Sequence, residues 1–291
     1  MPPHRRAPAL ALLAASIGAA ASAPAQTLAL GSPVSAAGSY LGRDSLDGAA
    51  LYTQTALTAA RGRAGVSAQA VGGRVRVADG GDALEARGAG AAVSAFYGVT
   101  DAVTVGAGVP YHSMTTEISA GPLGDESTVN GLGDAELFAR VAAFRSASGA
   151  TRLALGGGLT LATGHEALTA NAATYQLGAA LTHRVRRVSL HLAPAARFLQ
   201  DADASYDVNV AAAVAATPRV TLAVEALTAF DGASPGSGGG RTRLVDLAGG
   251  LRYRALGNLA LDLGLRTNVS NDVDGVDLTR GGLSFGASWL F

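Results

Sequence analysis

The sequence predicts an all-β protein, a single transmembrane, antiparallel, up-and-down β-barrel, and three observations support this fold class. Long segments alternate between apolar and polar residues with a period of two. The connections between these segments are alternately short and long, and an export sequence precedes all of them. Each feature also occurs in other folds, but their combination favours a membrane barrel.

The alternating segments are long enough to cross a bilayer. The clearest is Asn258–Ser270, in which Leu and Val occupy one face and polar residues the other. The same pattern recurs in Arg152–Ala162, Val188–Phe198 and Arg219–Phe230. Strands of soluble proteins usually have about 5–6 residues, whereas a tilted membrane-crossing strand needs about 9–11. The lengths therefore favour a membrane barrel over a soluble β-sandwich.

The connections fall into two classes that alternate along the chain. The short ones are Gly98–Asp101, Ser146–Ala150, Arg186–Arg187, Thr217–Arg219 and Ala255–Gly257. The long, polar or Gly-rich ones are His112–Asn130, Gly164–Asn171, Asp201–Ser205, Asp231–Arg241 and Asn271–Asp277. Outer-membrane barrels have short periplasmic turns and longer extracellular loops, so this segregation predicts which end of the barrel faces the periplasm.

Counting back from Phe291 gives about twelve strands, the first of them near Gly65. Two further candidate strands, Thr27–Tyr40 and Ala49–Ala60, leave two alternatives open. They complete a fourteen-strand barrel, or residues 26–64 form an N-terminal segment that plugs the lumen of a barrel over residues 65–291. Within the first strand, Gly72-Gly73 interrupts the alternation, which predicts a β-bulge there.

The first 25 residues predict export. Arg5 and Arg6 precede the apolar run Ala7–Ala21, and two small-x-small cleavage sites follow. This order is typical of a secretory signal peptide, and the run is shorter than the about 20 residues of a membrane-spanning helix. We therefore expect residues 1–25 to be removed, the mature chain to begin near Gln26, and the barrel to lie in the outer membrane of a Gram-negative-type bacterium.

The C-terminal strand predicts how the protein is assembled. One face of this strand carries Leu283, Phe285, Ala287, Trp289 and Phe291. A terminal aromatic residue on an outward apolar face resembles the recognition signal of the outer-membrane assembly machinery. The predicted partners are therefore this barrel assembly machinery, through the strand that ends in Phe291, and outer-membrane lipid.

If the apolar face meets lipid, the opposite face lines the lumen. Ionisable side chains at membrane depth are tolerated where they meet water or partners. The alternation predicts ten lumen-lining charges: Glu136, Arg140, Arg152, Arg184, Arg197, Glu225, Asp246, Arg252, Asp262 and Arg266. They either pair across the lumen and stiffen the barrel, which their mixed signs favour, or form the eyelet of a polar channel. The expected inward aromatic residues are Phe96, Phe138 and Phe144.

Composition and motifs argue against other classes of function. Basic and acidic residues balance at 22 each, so a nucleic-acid partner is not expected, and the absence of Cys excludes thiol chemistry. His183 and His191 flank one short turn, but the alternation places them on opposite sides of the wall. His112 and His165 are expected at solvated loop edges. With no Ser in a nucleophilic setting, we expect neither catalysis nor a metal or cofactor.

Two turn motifs resemble a known family. Gly131-Leu132-Gly133-Asp134, which opens the strand Ala135–Phe144, is similar to the Gly-x-Gly-Asp element of barrels in the MetA-pathway of phenol degradation family. The turn Phe96–Asp101 resembles the turn that precedes this element. The match extends over about Gly88–Phe291.

The third motif, Leu159–Gly164, is similar to the family's Leu-x-Leu-Pro-Thr-Gly, with Ala162 in place of Pro and His165 where an acidic residue is common. The resemblance implies an outer-membrane barrel that passes aromatic or other small hydrophobic compounds.

The sequence therefore predicts a passive channel or transporter for small molecules. A second hypothesis is a closed structural or surface-interaction barrel, blocked by charge pairs or by Thr27–Tyr40. An outer-membrane hydrolase is less favoured because no nucleophile constellation is present.

Overall fold

The computed structural model describes residues 50–291, apart from 80–81, 121–122, 167, 169–172, 200–203, 232–242 and 273–276. The strands in this part of the chain are β1 (Ala64–Asp79), β2 (Asp82–Gly98), β3 (Val103–Ala120), β4 (Leu123–Leu132), β5 (Ala135–Arg145), β6 (Thr151–Leu161), β7 (Thr174–Val185), β8 (Val188–Leu199), β9 (Ser205–Ala215), β10 (Val220–Asp231), β11 (Arg243–Arg254), β12 (Leu259–Asp272) and β13 (Asp277–Leu290). None of the residues described lies in a helix of the length and apolarity that spanning a membrane requires.

The strands form one closed antiparallel sheet. Successive strands pair with one another except β4 and β5, and β1 pairs with both β2 and β13, which closes the barrel. Strand β3 pairs with β5 through residues 103–108 and with β4 through residues 111–120. β4 and β5 therefore share one position in the wall, and the barrel has twelve positions. The predicted antiparallel up-and-down barrel of about twelve strands is confirmed.

The long alternating segments are strands, as predicted. Arg152–Ala162, Val188–Phe198, Arg219–Phe230 and Asn258–Ser270 correspond to β6, β8, β10 and β12 within two residues at each end. Their period of two survives in the structure because one face meets lipid and the other meets the interior.

The predicted loop His112–Asn130 is wrong. In the structure β3 continues to Ala120 and β4 begins at Leu123, so the segment is a hairpin that extends the sheet beyond the other strands. Its Thr, Ser and Glu residues alternate weakly with apolar ones, because above the membrane both faces of a strand meet water. The polar composition of this segment is therefore the same as that of a loop, although the segment forms two strands.

The predicted β-bulge at Gly72-Gly73 is also wrong. Both glycines continue the regular register with β2 and with β13. The apolar residues change face there because the strand leaves the apolar belt: the side chain of Val66 points outward, whereas Val71 is buried. Register shifts occur instead between Ala142 and Phe144 and between Val245 and Asp246.

Residues 50–63 form no strand, so the candidate strand Ala49–Ala60 is not one over its described part. Its backbone N–H groups bond to side chains of the barrel instead of to a neighbouring strand. The other candidate, Thr27–Tyr40, lies outside the described residues.

The outer surface of the barrel is an apolar belt between two rows of aromatic side chains. The row at the short-turn end contains Tyr97, Phe144, Tyr253, Trp289 and Phe291, and the row at the other end contains Tyr111, Tyr175, Phe198 and Tyr206. The rings of Trp289 and Phe291 stack with their centroids 5.6 Å apart. Aromatic girdles at both interfaces are typical of outer-membrane barrels, whose apolar band is about 25 Å tall.

Arginine on the lipid face should destabilise the barrel according to its depth. Leu265 is 61% exposed, six residues from the turn end of β12. We expect Leu265→Arg to lower the free energy of unfolding in lipid by about 2–4 kcal/mol, because the charge lies near the bilayer midplane. Thr267→Arg, on the same face nearer the interface, is the control and should cost about 1 kcal/mol or less. Equal losses in denaturant titrations would contradict the assigned depth.

Candidate functional site: the barrel lumen and its inner segment

The ten charged residues predicted to line the lumen are all buried or half-buried. Buried are Glu136, Arg140, Glu225, Asp246, Arg252 and Asp262; half-buried are Arg152, Arg184, Arg197 and Arg266. Each is flanked along its strand by residues of the opposite face. That they line a path for solute stays a prediction.

Three of the ion pairs run along the wall. Arg252 and Asp262 are directly opposite on β11 and β12, with Nε–Oδ1 at 2.7 Å. Arg266 pairs with Asp246 between the same two strands, and Arg197 pairs with Asp207 on β9, Nη2–Oδ2 2.8 Å. The predicted pairing across the lumen is wrong for these residues, because antiparallel register already places the opposite charges on adjacent strands.

A short peptide crosses the lumen. We call residues Ala50–Ala59, which precede β1, the inner segment. Eight of its ten residues are buried, and Thr53 and Thr55 have no exposed surface. A chain without regular secondary structure must find hydrogen-bond partners for its backbone in such a place. The barrel wall supplies them.

The principal anchor is the carboxylate of Glu225, in the middle of β10. It accepts hydrogen bonds from three successive backbone N–H groups, those of Leu51, Tyr52 and Thr53. The Thr53 N–Oε2 distance is 2.6 Å, and Glu225 is 2% exposed. A buried carboxylate needs such donors, and bonds to a charged acceptor are stronger than neutral ones. The Glu225 carboxylate and the backbone N–H groups of the inner segment therefore satisfy each other's hydrogen-bonding requirements.

Hydroxyl groups around the wall hold the rest of the inner segment. The hydrogen bonds are Tyr52 Oη to Ser284 Oγ at 2.6 Å, Ala56 N–H to Thr182 Oγ1 at 3.0 Å and Ala59 N–H to Thr104 Oγ1 at 2.7 Å. These partners lie on β13, β7 and β3 respectively, so the segment is tied to well-separated parts of the wall.

Arg140 binds the carbonyl side of the inner segment. Its Nη1 donates to the carbonyl oxygens of Thr55 at 2.9 Å and Leu57 at 3.3 Å, and its Nη2 donates to Gln54 Oε1 at 3.3 Å. Arg140 is 3% exposed. Together, Glu225 and Arg140 bind N–H groups and carbonyl groups at successive points of one peptide.

The turn end of the inner segment packs against two phenylalanines. Leu57 and Ala59 form an apolar cluster with Phe96 and Phe138, both of which point inward as expected. Glycine makes room for one ring: a Cβ at Gly106 would lie 2.2 Å from the Phe138 ring. This part of the lumen is apolar.

Phe144 does not point inward, contrary to prediction. It is 55% exposed on the outer face. The register shift between Ala142 and Phe144 inserts one residue into β5, and one extra residue exchanges the two faces of the strand beyond it.

Three of the histidines lie on strands of the wall. His183 is exposed and His191 is buried, so their predicted placement on opposite sides of the wall is confirmed. His191 lies between Thr182 Oγ1 and Ser189 Oγ, 3.0 Å from each. His112 is not at a loop edge as expected but buried within β3, because that strand continues beyond it. The described residues contain no cluster of side chains suited to a metal ion.

The inner segment leaves little space beside it at the level of Arg140. Gly156, Gly158 and Gly178 form the facing wall, and Gln54 projects toward them. The gap is about large enough for one water molecule. With the inner segment in place, the space beside Arg140 is narrowed to this gap.

A family model, described as Putative MetA-pathway of phenol degradation, matches residues 52–279. The chain belongs to this family. The match begins at Tyr52 and ends at the third residue of β13, so it includes most of the inner segment and the barrel as far as β12. None of the curated proteins matches the sequence.

Solved outer-membrane barrels share the fold. The COG4313 outer membrane channel from Pseudomonas putida F1 is similar, with a TM-score of 0.62 and 17% identity over 80% of this chain and 97% of that one. The transport unit of the autotransporter AIDA-I from Escherichia coli has a TM-score of 0.54 and 11% identity over 77% and 89% of the two chains. The fold and the apolar belt place this protein in the bacterial outer membrane, with lipid around it.

Two of the motifs that carry the family resemblance, Gly131–Asp134 and Leu159–Gly164, meet in space. Asp134 Oδ1 accepts hydrogen bonds from the N–H groups of Thr163 at 3.1 Å and Gly164 at 3.0 Å, and Thr163 Oγ1 accepts one from Ala135 N–H at 3.0 Å. A Cβ at Gly164 would lie 2.7 Å from the carbonyl carbon of Gly133. The motifs therefore fix the junction of β4 and β5 against the end of β6, which is a structural role.

Loss of the Glu225 carboxylate should loosen the inner segment. The chain has no native Cys, so Thr53→Cys alone reports access to the lumen. We expect slow reaction with a water-soluble maleimide in the otherwise native protein. Glu225→Ala should accelerate it about tenfold or more, since each hydrogen bond to a charged group contributes about 1.5–3 kcal/mol. Ala147→Cys, in an exposed turn, should react rapidly in both backgrounds; an unchanged Thr53→Cys rate would show that Glu225 is no anchor.

Proposed function

We propose that the protein is a passive outer-membrane channel for small hydrophobic or aromatic molecules, with the inner segment as its constriction. The observation that carries this proposal is the way the inner segment is held. It is attached to the wall by individual hydrogen bonds to side chains and not by a β-ladder. These hydrogen bonds can break one at a time. A segment paired with the wall as an additional strand would instead have to break all the hydrogen bonds of a β-ladder to move.

The chemistry of the lumen supports an aromatic substrate class. Phe96 and Phe138 give an apolar surface near the constriction, and the amides of Gln54 and Gln176 lie beside it. The ring of an aromatic solute can pack on the two phenylalanines while its hydroxyl group forms a hydrogen bond to one of the amides. The description of the family, which names phenol, agrees with this pairing. Arg140 and Arg152 would then contribute to the polar eyelet.

The alternative is a closed structural barrel, favoured by how completely the inner segment is buried. The channel and the closed barrel differ in whether ions or solutes pass through them. A closed barrel conducts neither ions nor solutes, and its inner segment serves only to fill and stiffen the interior. We propose no catalysis for either function.

Single-channel conductance in planar bilayers separates these functions. We expect the intact protein to show small, brief openings. Glu225→Ala should increase the open fraction about tenfold or more, because release of the inner segment then breaks fewer strong bonds. Arg140→Ala should act in the same direction, and Val224→Ala, which alters the outward neighbour of Glu225, should change nothing.

Uptake of phenol into proteoliposomes then tests the substrate class. An open channel that excludes phenol while it passes sugars would contradict the aromatic assignment. Silence of the intact protein and of both lumen variants would favour the closed barrel.

We infer that the strand ending in Phe291 binds the barrel assembly machinery. Its outward side chains are exposed, and Phe291 N–H bonds to the carbonyl oxygen of Ala64, which is where the barrel closes. We expect deletion of Phe291 to slow assembly in cells, measured as a lower yield of heat-modifiable folded protein. Refolding into detergent should be nearly unchanged, because only one exposed residue is lost. Equal defects in cells and in detergent would contradict a recognition role.

A further inference from the structure

Two arginines face outward from the wall just above the apolar belt. Arg74 on β1 and Arg87 on β2 are directly opposite each other, and both side chains are exposed. They continue the outward faces that carry Ala68 and Ala70 on β1 and Val93 on β2. Like charges directly opposite each other on adjacent strands are destabilising. The ion pair of Glu85 with Arg87 offsets part of this penalty, and a further anion between the two arginines would remove more of it.

The arginine pair lies at the depth of the outer headgroups. Arg74 is ten residues from the first residue of β1. At about 3.3 Å per residue and a tilt of about 40°, this distance equals the height of the apolar band, about 25 Å. On the neighbouring strand, Arg87 is opposite Thr115, which is four residues beyond Tyr111 of the outer aromatic row. The pair is therefore just beyond the hydrocarbon.

The surrounding charges orient the patch toward the membrane. Arg87 Nε pairs with Glu85 Oε1 at 2.6 Å, which leaves its two terminal nitrogens available, and Arg74 forms no ion pair with any described residue. Glu85 is opposite Glu117, which is opposite Glu126, and all three are farther from the membrane than the arginine pair. Positive charge thus borders the bilayer, and farther out Arg76 lies opposite Glu85 in a row of mixed charge.

The wall below the arginines has the shape for an acyl chain. The outward residues of β1 and β2 include Ala68, Ala70, Ala89, Ala91 and Ala95, all exposed. On either side the wall is bulkier, with Leu283 and Phe285 on β13 and Val109 and Tyr111 on β3. Ala70, Ala89 and Ala91 therefore form a short, shallow furrow directly below the arginine pair, and Val93, opposite Ala68, bounds it on the membrane side.

We propose that Arg74 and Arg87 bind a phosphate group of an outer-leaflet lipid, with an acyl chain of that lipid in the alanine furrow. The planar guanidinium groups match phosphate oxygens in geometry and charge. The furrow favours a lipid over free phosphate, because inorganic phosphate has no apolar group that could pack in it. The site is on the outer face, so it is independent of the channel function.

Binding of purified bisphosphorylated lipid A to the full-length protein in uncharged detergent tests the proposal. We expect saturable binding in a native mass-spectrometry titration. The double variant Arg74→Gln/Arg87→Gln should weaken it about tenfold or more, since charge-assisted hydrogen bonds are lost. Arg63→Gln is the matched control, because Arg63 is exposed at the opposite end of β1, one residue before that strand begins, and it should leave binding unchanged.

Three results would overturn the proposal. Dephosphorylated lipid A could bind as well as lipid A, which would remove the role of phosphate. Inorganic phosphate could compete at equal concentration, which would indicate a simple anion site. The double variant could bind lipid A as the native protein does. To show that the double variant is folded, its heat-modifiable mobility should equal that of the control.

Discussion

Backbone groups inside a membrane find no water, so each N–H and C=O group of the wall must be hydrogen-bonded within the protein. A closed antiparallel sheet satisfies every ladder group internally, which is why β1 pairs with β13 as well as with β2. Closure also means that the inner segment meets no free strand edge. Its amides must instead bond to side chains that project inward, and Glu225 accepts three of them at one point. The need to hydrogen-bond every backbone group thus produces both the rigid wall and an inner segment that is attached to the wall by individual hydrogen bonds.

The barrel itself was predictable from the sequence because a membrane wall imposes its pattern on every strand. One face must be apolar and the other can be polar, so β8 or β12 can be recognised from its own residues. The ten charged residues follow from the same rule. Where the surroundings of a strand differ, the rule fails. The hairpin of β3 and β4 has water on both faces, and Phe144 follows a register shift that no local pattern announces.

The inner segment could be suspected from the sequence but not placed. Its partners are remote: Glu225 is 172 residues from Thr53, and Thr182 is 126 residues from Ala56. A lumen-facing carboxylate has the same local sequence context whether it pairs with arginine along the wall or with backbone amides of a plug. Asp262 pairs with an arginine, whereas Glu225 accepts hydrogen bonds from backbone amides. Only the three-dimensional register decides which partner is within reach.

In the proposed channel, the inner segment is the constriction and must move to let a solute pass. The most direct measurement is single-channel conductance of the Ala56→Cys/Thr182→Cys protein before and after reduction. In the native chain the Ala56 N–H donates to Thr182 Oγ1 at 3.0 Å, so the two residues are in direct contact and this pair is the one to link. We expect the oxidised protein to stay closed and a reductant to restore openings. Equal conductance in the two states would show that solutes pass without moving the inner segment, and would contradict the claim.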